Sequence, residues 1–178
     1  MSERLRLFVA VDLPRDVRAE LAGWAAGAAP AEVRRVPEQN LHLTLAFLGS
    51  RSREEADAVA ALLPVVAAPV GELRTAGALW LPPRRPGVLA VALAGMPQLE
   101  ALQRSLVGAL ADAVGHEPEH RRFRPHVTVA RVRRGRRGRA TDLSQPPAST
   151  FEADALTLYR SLTGPGGSRY EPLARAVL

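Results

Sequence analysis

The sequence predicts an α+β fold built on mostly antiparallel sheets. Three observations lead there. Short apolar runs of strand length recur along the chain. Three longer stretches repeat their apolar residues at helical spacing. Helices and hairpins follow one another without the regular strand-helix-strand alternation of a parallel sheet. With 178 residues the chain is sized for one domain, or for two small halves sharing a core.

The elements follow in order. Leu5 to Asp12 reads as a strand, LRLFVAVD, ending in a carboxylate. Pro14 stands where a proline opens a helix. From there to about Ala28, Val17, Leu21, Trp24, Ala25 and Ala28 recur at helical spacing. A short strand is expected between Ala31 and Pro37, then a strong one from Leu41 to Leu48, stopped by Gly49-Ser50. Ser52 with Glu55 makes a capping box, and the helix it opens should reach Leu63 and end at Pro64. Gly71–Leu81 and Val88–Leu93 form a hairpin joined by PPRRPG. Pro97 opens a helix to about Val114, closed by Gly115. Strands are then expected over Arg124–Val132, Phe151–Leu162 and Tyr170–Val177, with a basic loop over Arg133–Gln145. The sum is about eight strands and three helices.

Composition excludes several chemistries. The chain has no cysteine, so disulfides, thiol nucleophiles and thiolate zinc sites are ruled out. Every one of its 24 basic residues is arginine, so lysine nucleophiles and a phosphate-binding loop that needs lysine are excluded too. That usage reflects a compositional preference for arginine and is no functional signal by itself. No apolar run has the length of a membrane span, and the opening residues are too polar for a signal peptide; a cytoplasmic protein is expected. The net charge of +6 is local: residues 121–139 hold nine arginines and no carboxylate, while the rest has fifteen arginines against eighteen carboxylates. Such a patch suits a phosphate-rich partner.

Two strands resemble each other. Leu41-His42-Leu43-Thr44-Leu45-Ala46 and Pro125-His126-Val127-Thr128-Val129-Ala130 share the pattern His-apolar-Thr-apolar-Ala, with histidines 84 residues apart, near half the chain length. This suggests an internal duplication about a pseudo-twofold axis. Because residues i and i+2 share a strand face, each strand presents one imidazole and one hydroxyl together and turns its aliphatic residues to the core. Facing each other across a cleft, two imidazoles suit in-line displacement at phosphorus. One takes a proton from water and the other protonates the leaving oxygen. Threonine hydroxyls and arginines can hold the non-bridging oxygens. No metal is required, and none is expected: each motif lacks a second ligand on its face, and threonine is a poor one. No nucleophile elbow is present. The plainer alternative, two hydrogen-bonded structural histidines, explains one such strand better than it explains both. His116 and His120 lie in a polar connector and are expected to be solvated. Trp24 and Trp80 are expected in the core.

The chain resembles the 2H phosphoesterase superfamily and, within it, the RNA 2′,3′-cyclic phosphodiesterases of bacteria and archaea, also called 2′-5′ RNA ligases. The resemblance rests on RLFVAVDLP (6–14), HLTLAFLG (42–49), RPHVTVAR (124–131), and LTLYRS (156–161) followed by GGSRY (166–170). It implies a bilobal, pseudo-twofold fold, two mostly antiparallel sheets flanking a central cleft with helices outside, forming a single domain over residues 1–178. It implies hydrolysis of a 2′,3′-cyclic phosphate at an RNA 3′ end to a 2′-phosphate, without metal or cofactor. It makes His42 the proton donor and His126 the proton acceptor, with Thr44 and Thr128 on the phosphate oxygens. Run towards joining, the same chemistry links a cyclic end to a 5′-hydroxyl through a 2′-5′ bond. The family further suggests Phe47 as a base-stacking residue, and Arg131 and Arg124 as substrate contacts.

The strand pattern itself opposes two of these. Phe47 and Arg131 each lie five residues after a histidine, on the opposite face unless the strand bends or bulges. The arginine-dense loop that follows, Arg131–Arg139, is either an RNA contact or a solvated segment. The expected partner is RNA with a cyclic phosphate end, tRNA fragments being one source. The expected state is a monomer. Two alternatives stand beside this reading: a phosphodiesterase of 2′-5′ oligonucleotides or small cyclic nucleotides, and a non-catalytic RNA-binding module.

Overall fold

The structure is a computed structural model describing residues 3–94, 97–119, 121–133, 135–136, 141–164 and 167–178. His120, the arginines 134, 137 and 139, and Gly166 of the carboxy-terminal motif lie outside the described residues. Among the described residues the chain forms nine strands and three α-helices. In order these are β1 (Leu5–Asp12), α1 (Arg15–Ala28), β2 (Val33–Arg35), β3 (His42–Arg51), α2 (Arg53–Val66), β4 (Glu72–Leu81), β5 (Val88–Leu93), α3 (Pro97–Val114), β6 (His126–Val132), β7 (Thr150–Glu152), β8 (Ala155–Gly164) and β9 (Gly167–Val177). A 3-10 turn, Glu38–Asn40, leads into β3. No helix among the described residues is long and apolar enough to cross a membrane.

The strands run β7-β4-β5-β6-β3-β1-β8-β9, every pair antiparallel, with β2 on the free part of the β6 edge. The two expected antiparallel sheets are joined along one strand path. The hydrogen-bonded path is continuous, but it narrows at the centre to a single registered pair, Leu43 opposite Val127. Beyond that pair β3 and β6 part company, because β6 turns to β2 through residues 130–132. One pair suffices to join the halves since both residues are fully buried. They extend into a row of four, Val11-Leu43-Val127-Val91, across β1, β3, β6 and β5. Each such side chain contributes about 1.5–3 kcal/mol on burial.

The helices cover this aliphatic face. Val17, Leu21 and Ala25 of α1, Ala56, Val59 and Leu63 of α2, and Leu99, Leu102, Leu106 and Leu110 of α3 join the same core as Leu7, Val9 and Leu158. α2 starts as expected: Ser52 accepts from the Glu55 amide at 3.2 Å, and Glu55 accepts from the Ser52 amide at 2.7 Å.

Several boundaries moved. β3 does not stop at Gly49-Ser50 but runs to Arg51, because Gly49 takes φ +71° and lets the bulged strand continue beside β1. Pro64 lies inside α2, not past its end. It sits in the last turn, where its missing amide removes only one bond and Ala67 still donates to the Leu63 carbonyl. The single strand expected over Phe151–Leu162 is two. β7 pairs with β4 (Phe151 opposite Leu73), whereas β8 pairs with β1 and β9, so the chain crosses between halves at Ala153-Asp154. His116 is not solvated: only 8% exposed, it follows α3, and burial first, then the Arg51 charge, lowers its pKa.

Candidate active site

His42 opens β3 and His126 opens β6. Both imidazoles are held the same way. Nδ1 of His42 lies 2.6 Å from the carbonyl of Asn40, and Nδ1 of His126 lies 2.7 Å from the carbonyl of Arg124. A carbonyl only accepts, so each Nδ1 carries the proton and each Nε2 is left for chemistry. The acceptor is in both cases the residue two positions earlier, just before the strand begins, so the strand start itself sets the ring. Nε2 of His42 is 3.0 Å from Thr44 Oγ1, which donates to the neutral ring.

Register shows which residues share the histidine face. On β1, Asp12, Ala10 and Phe8 stand opposite His42, Thr44 and Phe47. On β5, Ala92, Ala90 and Val88 stand opposite His126, Thr128 and Arg131. In both motif strands the step after threonine holds one extra residue, Leu45 in β3 and Val129 in β6. These are β-bulges at the same motif position, and each reverses the alternation. Leu45 with Ala46, and Val129 with Ala130, are therefore buried as adjacent pairs. Phe47 and Arg131 swing onto the histidine face. The objection from simple alternation is removed, and Phe47 is left 54% exposed beside the site. Arg131 is close enough for its charge to act on His42. Arg124 is placed differently: its backbone carbonyl orients His126, and its side chain is exposed.

The surroundings of His42 contain residues to which the sequence had given no role. Phe8 lies 4.9 Å from the imidazole, centroid to centroid, and Tyr170 stands edge-on at 5.3 Å. Tyr159 stacks on Phe8 at 5.2 Å. Both tyrosines of the chain are here, so an aromatic-poor protein has concentrated its rings on one histidine. Beside them Asp12 accepts from Thr157 Oγ1 at 2.8 Å, Tyr159 Oη at 2.7 Å and Arg175 Nε at 3.2 Å. Burial, then the bond to Asp12, raises the Tyr159 pKa, so its hydroxyl remains a donor. Asn40 joins two parts of the site: its carbonyl holds His42, and its side-chain amide donates to the Ser168 carbonyl at 2.8 Å. The sequence signals for Asp12 were its place at the end of a mostly apolar strand and within the RLFVAVDLP stretch.

His42 is lowered from 6.5 to about 4. Burial is the main cause, with Arg131 and His126 adding to it. The Asn40 carbonyl and the Asp12 charge act in the opposite sense. The free imidazole is therefore neutral at pH 7, and a bound anion would favour its charged form. No group of three or more potential ligands among histidine, cysteine, aspartate and glutamate occurs in the described residues.

A two-lobed antiparallel sheet with paired His-x-Thr strands at its centre defines a phosphoesterase-like class, and comparison with known proteins agrees. The model of the 2′-5′ RNA ligase superfamily matches residues 13–165, and the chain belongs to that superfamily. The RNA 2′,3′-cyclic phosphodiesterase of Escherichia coli (strain K12) is 32% identical, over 100% of this chain and 99% of its own. The crystal structure of E. coli LigT complexed with 3′-AMP superposes with a TM-score of 0.85 at 33% identity, covering 99% of each chain. The crystal structure of TT0787 from Thermus thermophilus gives a TM-score of 0.84 at 30% identity over 98% of each chain.

Proposed function

We propose that this protein hydrolyses the 2′,3′-cyclic phosphate at RNA 3′ ends to a 2′-phosphomonoester. The observation that carries the reading is the central pair. Two His-x-Thr strands meet at equivalent motif positions, each ring held through Nδ1 by the carbonyl two residues earlier, with the Nε2 of His42 bonded to its own motif threonine. The names of the relatives and the solved complexes of LigT with nucleotides point the same way.

In the proposed reaction His126 Nε2 takes a proton from water as its oxygen bonds to phosphorus. The P–O3′ bond breaks opposite, and His42 Nε2 gives its proton to the 3′ oxygen. Thr44 and Thr128 hold non-bridging oxygens, and Arg131 offsets charge on the phosphate. Phe47, exposed on the same face, offers a ring to the terminal base. The chemistry uses no metal. With a 5′-hydroxyl in place of water, the same pair forms a 2′-5′ linkage. We place the two halves in one domain of related lobes, each supplying one imidazole.

The low pKa of His42 favours a second assignment, with His42 as the base and His126 as the acid: a ring neutral at pH 7 is ready to accept a proton, whereas a donor must first be charged. In the first assignment the bound phosphate supplies the upward shift.

The deciding experiment uses a short RNA ending in a 2′,3′-cyclic phosphate, with EDTA present, and maps the product. A second substrate replaces the 3′ bridging oxygen with sulfur, whose thiolate leaves without a proton. The reading expects a 2′-phosphate product, with the sulfur substrate restoring rate to His42→Ala but not to His126→Ala. Rescue of His126→Ala instead establishes the swapped assignment. No turnover by the unaltered protein rejects the enzyme.

A further inference from the structure

Arg34 was not singled out by the sequence, yet the fold puts it on the histidine face. It lies on β2 directly opposite Arg131 of β6. Partners in an antiparallel ladder project to the same side, and Arg131 shares that side with Thr128 and His126. Two exposed guanidinium groups therefore stand on neighbouring strands, at positions where like charges destabilise a sheet. Among the described residues no carboxylate lies within ion-pairing distance of either. The Arg34 head lies over the start of β9. A methyl group on Gly167, at the start of β9, would come within 2.6–2.8 Å of the guanidinium. The side chain thus reaches from the His126 half to the His42 half. An exposed planar cation at this place, beside Arg131, suits bidentate recognition of phosphate.

We propose that Arg34, beside Arg131, forms a second phosphate site that takes the phosphodiester one nucleotide 5′ of the cyclic end. The distance fits the assignment: the bulged strand carries the chain about 7 Å from Thr128 to Arg131, and β2 is displaced a further ~5 Å sideways. This inference rests on the phosphodiesterase reading and deepens it, because it makes the end of an RNA chain a better substrate than a free cyclic nucleotide.

The test compares a nucleoside 2′,3′-cyclic monophosphate with a dinucleotide ending in the same cyclic nucleotide, in the unaltered protein and in Arg34→Gln and Arg34→Lys. The expected result is a dinucleotide preference in kcat/KM that falls about tenfold or more in Arg34→Gln and is partly kept in Arg34→Lys. For the dinucleotide, the slope of log kcat/KM against log salt should become shallower by about 0.7, the value for one phosphate contact on a single strand. An unchanged preference overturns the proposal. An equal loss on both substrates also overturns it, since that places Arg34 at the reacting phosphate or in the fold. If neither substrate turns over, the phosphodiesterase reading fails by itself. Dissociation constants for a nucleoside 2′-phosphate and the matching 2′-phosphorylated dinucleotide then decide the second site by the same comparison.

Discussion

The His42 half and the His126 half present the same motif in the same register, with the same carbonyl behind each ring and the same bulge after each threonine. Their surroundings differ. On β1 the residue opposite His42 is Asp12, and on β5 the residue opposite His126 is Ala92. The position after the bulge is Phe47 in one half and Arg131 in the other. Aromatic contacts among the described residues gather on Phe8, His42, Phe47, Tyr159 and Tyr170, and none involves His126. The backbone repeats while the side chains around it diverge. A symmetric frame sets two like groups at matching positions, and only their surroundings distinguish them. Where two like groups share acid and base work, environments that push their pKa values apart fix which does which.

The comparison breaks most sharply at the histidines themselves. His42→Ala and His126→Ala should each lower kcat by about 10²–10⁴-fold, the usual worth of a general acid or base. Steady-state rates on a cyclic-ended RNA check it, and an undiminished rate in either variant ends the shared role. The next effect concerns what joins the halves. Leu43→Ala should cost about 2–5 kcal/mol of stability, because its fully buried side chain forms half of the central pair. Urea unfolding measures it, and a cost below ~1 kcal/mol would mean that the junction collapses around the gap.

A third test separates the two rings by pH. The pKa of His42 is lower in the folded protein than in the unfolded chain, so its neutral form is the one that folding favours. That contribution is complete above about pH 6.5 and is lost as pH falls from 6.5 towards 4, where the unfolded chain takes up a proton the folded one refuses. The full effect is about 3 kcal/mol, less whatever solvent reaches the ring. Denaturation at pH 7 and pH 4.5 should show it, and His42→Asn should flatten it. An equally steep loss in that variant would assign the acid sensitivity elsewhere. The smallest expected effect is that of Asp12→Asn. It exchanges a carboxylate for an amide beneath Thr157, Tyr159 and Arg175, at a cost of about 1–3 kcal/mol. It also removes a charge that favours protonated His42, so the ring should titrate at still lower pH by NMR. A rise would contradict the sign of the Asp12 contribution.

Strand periodicity, the helix-opening proline Pro97 and the Ser52-Glu55 box were enough for the order of elements, since each reports a local preference of a few consecutive residues. The paired His42-Thr44 and His126-Thr128 faces were legible for the same reason: alternation along a strand is local. The errors fell where distant partners decide. Phe151–Leu162 has one continuous strand pattern, but β4 claims its start and β1 its remainder. His116 stands among charged neighbours in sequence and is buried after α3. Phe47 and Arg131 have the wrong parity by counting, and only the bulges opposite β1 and β5 reverse it.

By itself, then, the sequence determined that two imidazoles and two hydroxyls are displayed in matching pairs, and that cysteine and lysine chemistry are absent. Those are properties of single strands and of composition. The tertiary structure alone decided that the pairs meet across Leu43 and Val127, that rings and Asp12 gather on His42, and that Arg34 stands beside Arg131. Each of these depends on which strand lies next to which. That choice is made by burying the whole aliphatic face at once, a non-local sum that no window of neighbouring residues contains.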